Sequence, residues 1–358
     1  MLCMALACAF TAAIPMERVA VTPDGKGFVL ADSRAPFRPW GVNYGHGGKL
    51  IEDFWDADWA TVAEDFAKLK ALGANVARVH LQVGRFMDAA DQPHAHALWQ
   101  LGRLLDLAEQ TGVRLDLTGL ACYRPADTPA WYDALDEPAR WAAQATFWRA
   151  VAGRCAASPA VFCYDLINEP ISPAEKRARW SSGQLFGGYD FVQFIARDPA
   201  GRTRGAIATA WIDRLTAAIR NKDARTLITV GMLPWTTGWG HLSGFVPAEI
   251  APHVDSLSVH LYPKSKDPAE APRGLQECAV GKPVVIEETF PLSCTGEELA
   301  AFLRASRDTA CGWLWHFDGR TPGDYDAEER ARKLTMNDAI WRAALRLFVV
   351  LGPEFMVK

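Results

Sequence analysis

Two apolar runs end in carboxylates. Val161-Phe162-Cys163-Tyr164 leads into Asp165-Leu166-Ile167-Asn168-Glu169-Pro170, and Val284-Val285-Ile286 leads into Glu287-Glu288-Thr289-Phe290. An ionised carboxylate beside a core loses hydration, so a glutamate placed there needs partners or a task. Two such groups reaching one cleft suit the hydrolysis of an acetal. One, protonated, gives its proton to the leaving oxygen while the other, ionised, attacks the anomeric carbon, and the retaining arrangement sets them about 5 to 5.5 Å apart. Other chemistries lack their residues. No G-x-G-x-x-G follows an early strand, no G-x-x-x-x-G-K-[ST] occurs, and Ser181 and Ser182 have no G-x-S-x-G setting. His94-x-His96 has the spacing of a metal pair but sits in a polar loop and reads as solvated. No metal or cofactor is expected.

The elements that must carry these carboxylates are short. Eight β-branched or apolar runs recur: 40–44, 76–81, 115–120, 161–168, 227–232, 257–262, 284–289 and 312–317. Longer amphipathic stretches lie between them, at 59–72, 97–111, 138–153, 207–221 and 297–306, with apolar residues three and four apart. Eight strands alternating with helices predict a single (β/α)8 TIM barrel, in which reactive groups sit at the carboxyl ends of the strands. The starts of the fourth and fifth strands, at 161 and 227, are far apart for such a unit. A long insertion after strand four, from about Ile171 to Gly205, is therefore expected to form an ordered lid rather than a linker.

The chain has 358 residues, of which 49% are hydrophobic and 22% charged, enough to build one large core. Its 38 basic and 42 acidic residues sum to a charge of -4, which offers no field for nucleic acid. The 14 tryptophans stand out, because their flat faces stack on the apolar faces of sugar rings. Trp235 and Trp239 in the loop after strand five read either as outer sugar platforms or as loop packing; Trp148, Trp211 and Trp341 fall in helical patterns and read as core.

With these residues in order, the sequence resembles the cellulase-type retaining glycosidases of glycoside hydrolase family 5, from Pro39 onward. The resemblance rests on Trp40-Gly41-Val42-Asn43, on Arg78 within VARVH, on Asn168-Glu169-Pro170, on His260-Leu261-Tyr262, on Lys282 to Glu288 and on Trp313 and Trp315. It implies Glu169 as acid/base and Glu288 as nucleophile. It further implies Asn168 on the sugar 2-hydroxyl, Arg78 beside Glu288, Tyr262 donating to Glu288, His260 at the sugar or the acid/base, and Trp315 beneath the sugar at the cleavage point. Asn43 would complete the substrate site, while His80, at the end of strand two, reads either as lining the sugar site or as a structural histidine. Glu287 would be a supporting residue, paired with a cation in the outer layer, since successive strand residues face opposite sides. Many family members carry a histidine after strand three; here Tyr123 or Arg124 stands near that place, which bears on the substrate more than on the chemistry.

The expected activity is cleavage of β-linked glucan or mannan type bonds by double displacement, on an oligo- or polysaccharide. The alternative is a transglycosylating or non-hydrolytic carbohydrate-binding relative. Residues 1–16 are apolar apart from Thr11 and read as a secretory leader without a basic start, which points to a secreted or periplasmic protein whose barrel occupies residues 17–358. No run is long enough to span a membrane. Outside the leader six cysteines remain, open either to disulfides or to buried thiols. The sequence leaves the oligomeric state open.

Overall fold

The computed structural model describes residues 15–183, 186–234 and 243–356. Most of the expected leader, and both Trp235 and Trp239, lie outside the described residues.

Eight parallel strands close into a barrel in chain order: β1 (Trp40–Gly45), β2 (Val76–Gln82), β3 (Arg114–Ala121), β4 (Val161–Asn168), β5 (Leu227–Met232), β6 (Leu257–His260), β7 (Val284–Glu288) and β8 (Gly312–Asp318). All eight fall where the apolar runs predict them. Around the barrel run α1 (Trp59–Ala71), α2 (Ala95–Thr111), α3 (Glu137–Cys155), α4 (Arg204–Arg220), the short α5 (Pro247–Ile250), α6 (Glu270–Glu277), α7 (Gly296–Ser306) and α8 (Met336–Met356).

Helix starts are set by side chains that accept from the free N–H groups of the first turn. Asp58, Asp136, Thr203 and Thr295 do so for α1, α3, α4 and α7, and Thr295 with Glu298 forms a reciprocal capping box. His94 caps α2 through its ring nitrogen, and His96 bonds Asp56 at 2.7 Å, so neither histidine of that pair is turned toward the barrel.

The amino-terminal end of the barrel is covered by a three-stranded antiparallel sheet, Val19–Val21, Phe28–Leu30 and Pro36–Phe37. Phe28 and Phe37 press on Phe162 of β4 with ring centres 5.1 and 5.8 Å apart. This leaves the carboxyl ends of the strands as the open, reactive face. All six cysteines among the described residues are free thiols, four of them buried. No helix among the described residues is long and apolar enough to cross a membrane.

The segment between β4 and α4 is tied back to the barrel. Pro170–Ile171 pairs with Gln193–Phe194, Trp141 of α3 donates to the Ile195 carbonyl at 2.7 Å, and the amide of Asp190 donates to the Tyr123 carbonyl at 2.7 Å.

Candidate active site

The site is organised around one cation. Arg78 rises from β2 into the barrel with no exposed surface. Its Nη1 donates to Asn43 Oδ1 at 2.8 Å and to Glu288 Oε1 at 2.6 Å. Its Nη2 donates to Asp165 Oδ2 at 2.7 Å and to Asn168 Oδ1 at 2.9 Å, with Glu287 Oε2 at 3.4 Å. One planar fork thus ties β1, β4 and β7 to β2, which a lysine's single ammonium could not do. The space for the fork comes from Gly231 of β5, where a Cβ would lie 2.6 Å from Glu287 Oε2 and 2.8 Å from Arg78 Nη2.

Beneath the mouth this cation meets an excess of carboxylates. Burial first, and then the Glu287 charge, raises Asp165 to about 6 and lifts Asp116 well above the usual carboxylate range, so Asp116 is held protonated. Glu287 stays ionised: burial opposes this, but Arg78 and the hydrogen bond from His260 outweigh it.

Glu287 corrects the expectation of an outer-layer residue. It has no exposed surface and faces the barrel interior, 3.3 Å from His260 Nε2. The cause is a register shift between β6 and β7: Val259 pairs with Ile286, but His260 pairs with Glu288, so Glu287 is an extra residue on β7. Such a bulge breaks strict alternation and lets consecutive glutamates both turn inward, one above the other.

Glu169 reaches the mouth by a different local device. Its φ of 45° puts a non-glycine residue in the left-handed region, at a cost of roughly 1–2 kcal/mol, and its amide donates to the Gly231 carbonyl at 2.8 Å. The turn brings Glu169 Oε1 to 2.9 Å from His260 Nδ1. His260 therefore sits between Glu169 and Glu287, its side chain 1% exposed. Burial would depress its pKa, but the Glu288 charge and the bonds to Glu169 and Glu287 raise it to about 10. The ring is an imidazolium with both N–H groups donating.

Glu288 completes the group at the end of β7. Burial favours its neutral form, yet the charges of His260 and Arg78 outweigh burial and hold it far below the ordinary carboxylate range. Tyr262 donates to its Oε2 at 2.5 Å, as the resemblance implied. One oxygen of Glu169, one of Glu288 and a nitrogen of His260 all lie within 4.8 Å of one another. The same trio has the spacing of a cation site, and both Glu288 oxygens already accept from Arg78 and Tyr262.

Asn43 belongs to the support rather than to the substrate. Its Nδ2 donates to the carbonyls of Glu287 and Trp315, both at 2.9 Å, while its oxygen accepts from Arg78. Arg78, wholly buried, likewise reaches a substrate only through Glu288 and Asn168. Asn168 uses Nδ2 to donate to the Phe191 carbonyl at 3.2 Å, which leaves that nitrogen one further N–H to give. His80 pairs with the Tyr123 hydroxyl at 2.6 Å; burial first, then Arg78, keeps its ring neutral. Tyr123 thus fills the place after β3, while Arg124 lies over Tyr189.

Trp315 corrects a second expectation. It is fully buried, packed against Trp40 and Phe348 at 5.9 and 5.8 Å, and shows no face to the mouth. Trp313, Trp315 and Phe317 share the outer face of β8, the two tryptophans against α8 and Phe317 on Tyr44 of β1, so the alternate residues Leu314, His316 and Asp318 point inward. His316, missed in the sequence, occupies the mouth: its ring stacks on Tyr262, and its Nε2 lies 2.9 Å from the Tyr262 hydroxyl. Because that hydroxyl donates to Glu288, His316 must donate to it. The signal was present as polar residues two apart at the carboxyl end of an otherwise aromatic strand. Trp315→Ala is expected to lower stability by about 3–5 kcal/mol through the cavity it leaves, with KM of the folded enzyme unchanged; a raised KM at the original Tm would return the ring to the cleft.

A closed (β/α)8 barrel with two glutamates facing each other across the carboxyl-end mouth defines a barrel glycoside hydrolase. The comparisons specify which one. The family model described as Cellulase (glycosyl hydrolase family 5) matches residues 35–318, and the chain belongs to that family, as an O-glycosyl hydrolase. Among solved structures it is similar to the exo-β-1,4-mannosidase of Opitutaceae bacterium strain TAV5, with TM-score 0.68 and 20% identity over 94% of this chain and 62% of that one. The chain thus spans less than two thirds of that mannosidase. It is also similar to the β-mannanase of the blue mussel Mytilus edulis (TM-score 0.64, 15% identity, 94% and 96% coverage). A third likeness is to the catalytic domain of Thermobifida fusca endoglucanase Cel5A (TM-score 0.58, 16% identity, 94% and 98% coverage). No curated protein matches the chain.

Proposed function

We propose that the chain is a retaining β-glycosidase that cleaves β-linked gluco- or manno-configured oligo- and polysaccharides by double displacement. The observation that carries this reading is the pair of carboxylates with oxygens within 4.8 Å, one of them held ionised. Inverting enzymes separate their carboxyl groups by about 6.5–9.5 Å to admit a water, and the spacing here is too short for that. Glu288, ionised, attacks the anomeric carbon as the bond to the leaving oxygen breaks, and protonated Glu169 gives its proton to that oxygen. Glu169, now a carboxylate stabilised by the His260 imidazolium, then takes a proton from the water that displaces Glu288. The mannosidase, mannanase and endoglucanase among the similar structures support a β-linked hexose as the glycone.

Glu169→Gln is expected to lower kcat on unactivated oligosaccharides by about 10²–10⁴-fold. It should spare the first step for an aryl glycoside whose phenol leaves unaided, so a burst of phenol followed by slow turnover is the expected trace. Equal loss on both substrates, without a burst, would remove Glu169 from the acid role. A panel of aryl β-mannosides and β-glucosides decides the glycone.

A further inference from the structure

We propose that a closed half-rim around the mouth makes the site a dead-end pocket for one terminal sugar, so that the enzyme releases monosaccharides from the non-reducing ends of β-linked chains. The proposal rests on the retaining glycosidase reading and deepens it. The rim is a run of bonds between loops that are far apart in sequence. At the end of β8, Asp318 Oδ1 accepts from the Gly48 amide at 2.9 Å. The Gly48 carbonyl, in the loop after β1, accepts from the Tyr189 hydroxyl at 2.6 Å, and Tyr189 belongs to the loop after β4. The same hydroxyl accepts from Arg124, in the loop after β3, whose guanidinium lies 4.1 Å over the Tyr189 ring. The loops so joined follow β8, β1, β3 and β4, which bound an arc of five neighbours in the barrel order, from β8 through β1, β2 and β3 to β4.

This wall is packed as well as bonded. Tyr189 stacks on Phe191 at 5.3 Å and 21°, and Phe191 meets Tyr123, itself bonded to His80, at 4.9 Å. Phe191 also accepts from Asn168, which places the wall beside the sugar that must sit over Asn168, Arg78 and Glu288. The leaving oxygen belongs on the other side, where Glu169 of the β4 turn meets His260 of β6. The sugar that becomes bonded to Glu288 is therefore enclosed, while the leaving chain departs away from the wall. A second sugar on the non-reducing side would have to pass through the Tyr189–Gly48 bridge.

The test uses β-1,4-linked pentasaccharides of mannose and of glucose labelled at the reducing end, with an aryl β-glycoside as control. The expected result is unlabelled monosaccharide as the first product, with the labelled chain shortening one unit at a time. Tyr189→Ala should raise the initial share of di- and trisaccharide products severalfold. Tyr189→Phe, which keeps the stacking and loses the bond to Gly48, should move in the same direction by less; melting curves confirm that both variants are folded. Di- or trisaccharides as first products of the unaltered enzyme overturn the proposal while aryl glycoside turnover preserves the glycosidase reading. Monosaccharide-only release by folded Tyr189→Ala also overturns it. No turnover of any substrate overturns the glycosidase reading, and the proposal with it.

Discussion

Glu288→Gly should lose on the order of 10⁴-fold or more in kcat, and azide should restore turnover as a glycosyl azide of inverted configuration. The niche left by the carboxylate keeps Arg78 Nη1 and the Tyr262 hydroxyl aimed into it. A small anion is drawn to such a site and reaches the anomeric carbon from the vacated face, with Glu169 still able to protonate the leaving group. Product configuration, read by NMR, is the deciding measurement: near-normal turnover in the variant, or an azide of retained configuration, would sink the nucleophile assignment. The charge balance also fixes a pH expectation. A lowered pKa means that Glu288 is already ionised above the ordinary value of 4.5 and stays so as the pH falls through it. The acid limb that Glu288 sets in kcat/KM therefore lies below pH 4.5, apart from any step at about 6 from Asp165 on the other arm of Arg78, and a limb beginning between these two values would contradict the ionised state.

Arg78→Ala is expected to lower stability by about 3–5 kcal/mol, because removing one partner leaves buried charges uncompensated. In a chain of this size that corresponds to a fall in Tm of roughly 4–7 °C. Asp165, Glu287 and Glu288 would then share the barrel with His260 as the one cation bonded among them. Their pKa values would rise, and the variant would take up protons on folding. The stability gap to the unaltered protein should therefore narrow as the pH falls through about 5 and widen toward neutrality. Arg78→Lys restores the charge but not the fork that spans Asn43, Glu288, Asp165 and Asn168. It should regain part of the Tm while kcat/KM stays depressed. An alanine variant that melts with the unaltered protein at pH 7 would show that the carboxylates relax without the arginine.

Much of this arrangement was legible before folding. Eight apolar runs bounded by turn residues are local signals, and each became a barrel strand within a residue or two. Glu169, Glu288, His260 and Tyr262 sit at or beside the carboxyl ends of strands, so the barrel rule placed them on one face without any knowledge of contacts, whereas Arg78 lies within β2 and was placed by the resemblance. The amino-terminal sheet at 19–37 was not legible, because strands of two or three residues carry too little periodicity to register.

What the linear order of residues determined was which chemistry the chain can do, since residue type and position along a strand are properties of one segment. Which way a side chain points is a property of two segments. Alternation counted back from Glu288 sent Glu287 outward, whereas Val285 faces inward beside Leu314, so Glu287 follows it inside and the shifted pairing of β6 with β7 turns Glu288 in as well; Trp315 faced the sugar until α8 claimed the outer side of β8 and left the mouth to His316. The half-rim is the extreme case: Gly48, Arg124, Tyr189 and Asp318 are separated by long stretches of chain, and only closure of the barrel brings their loops within hydrogen-bonding distance.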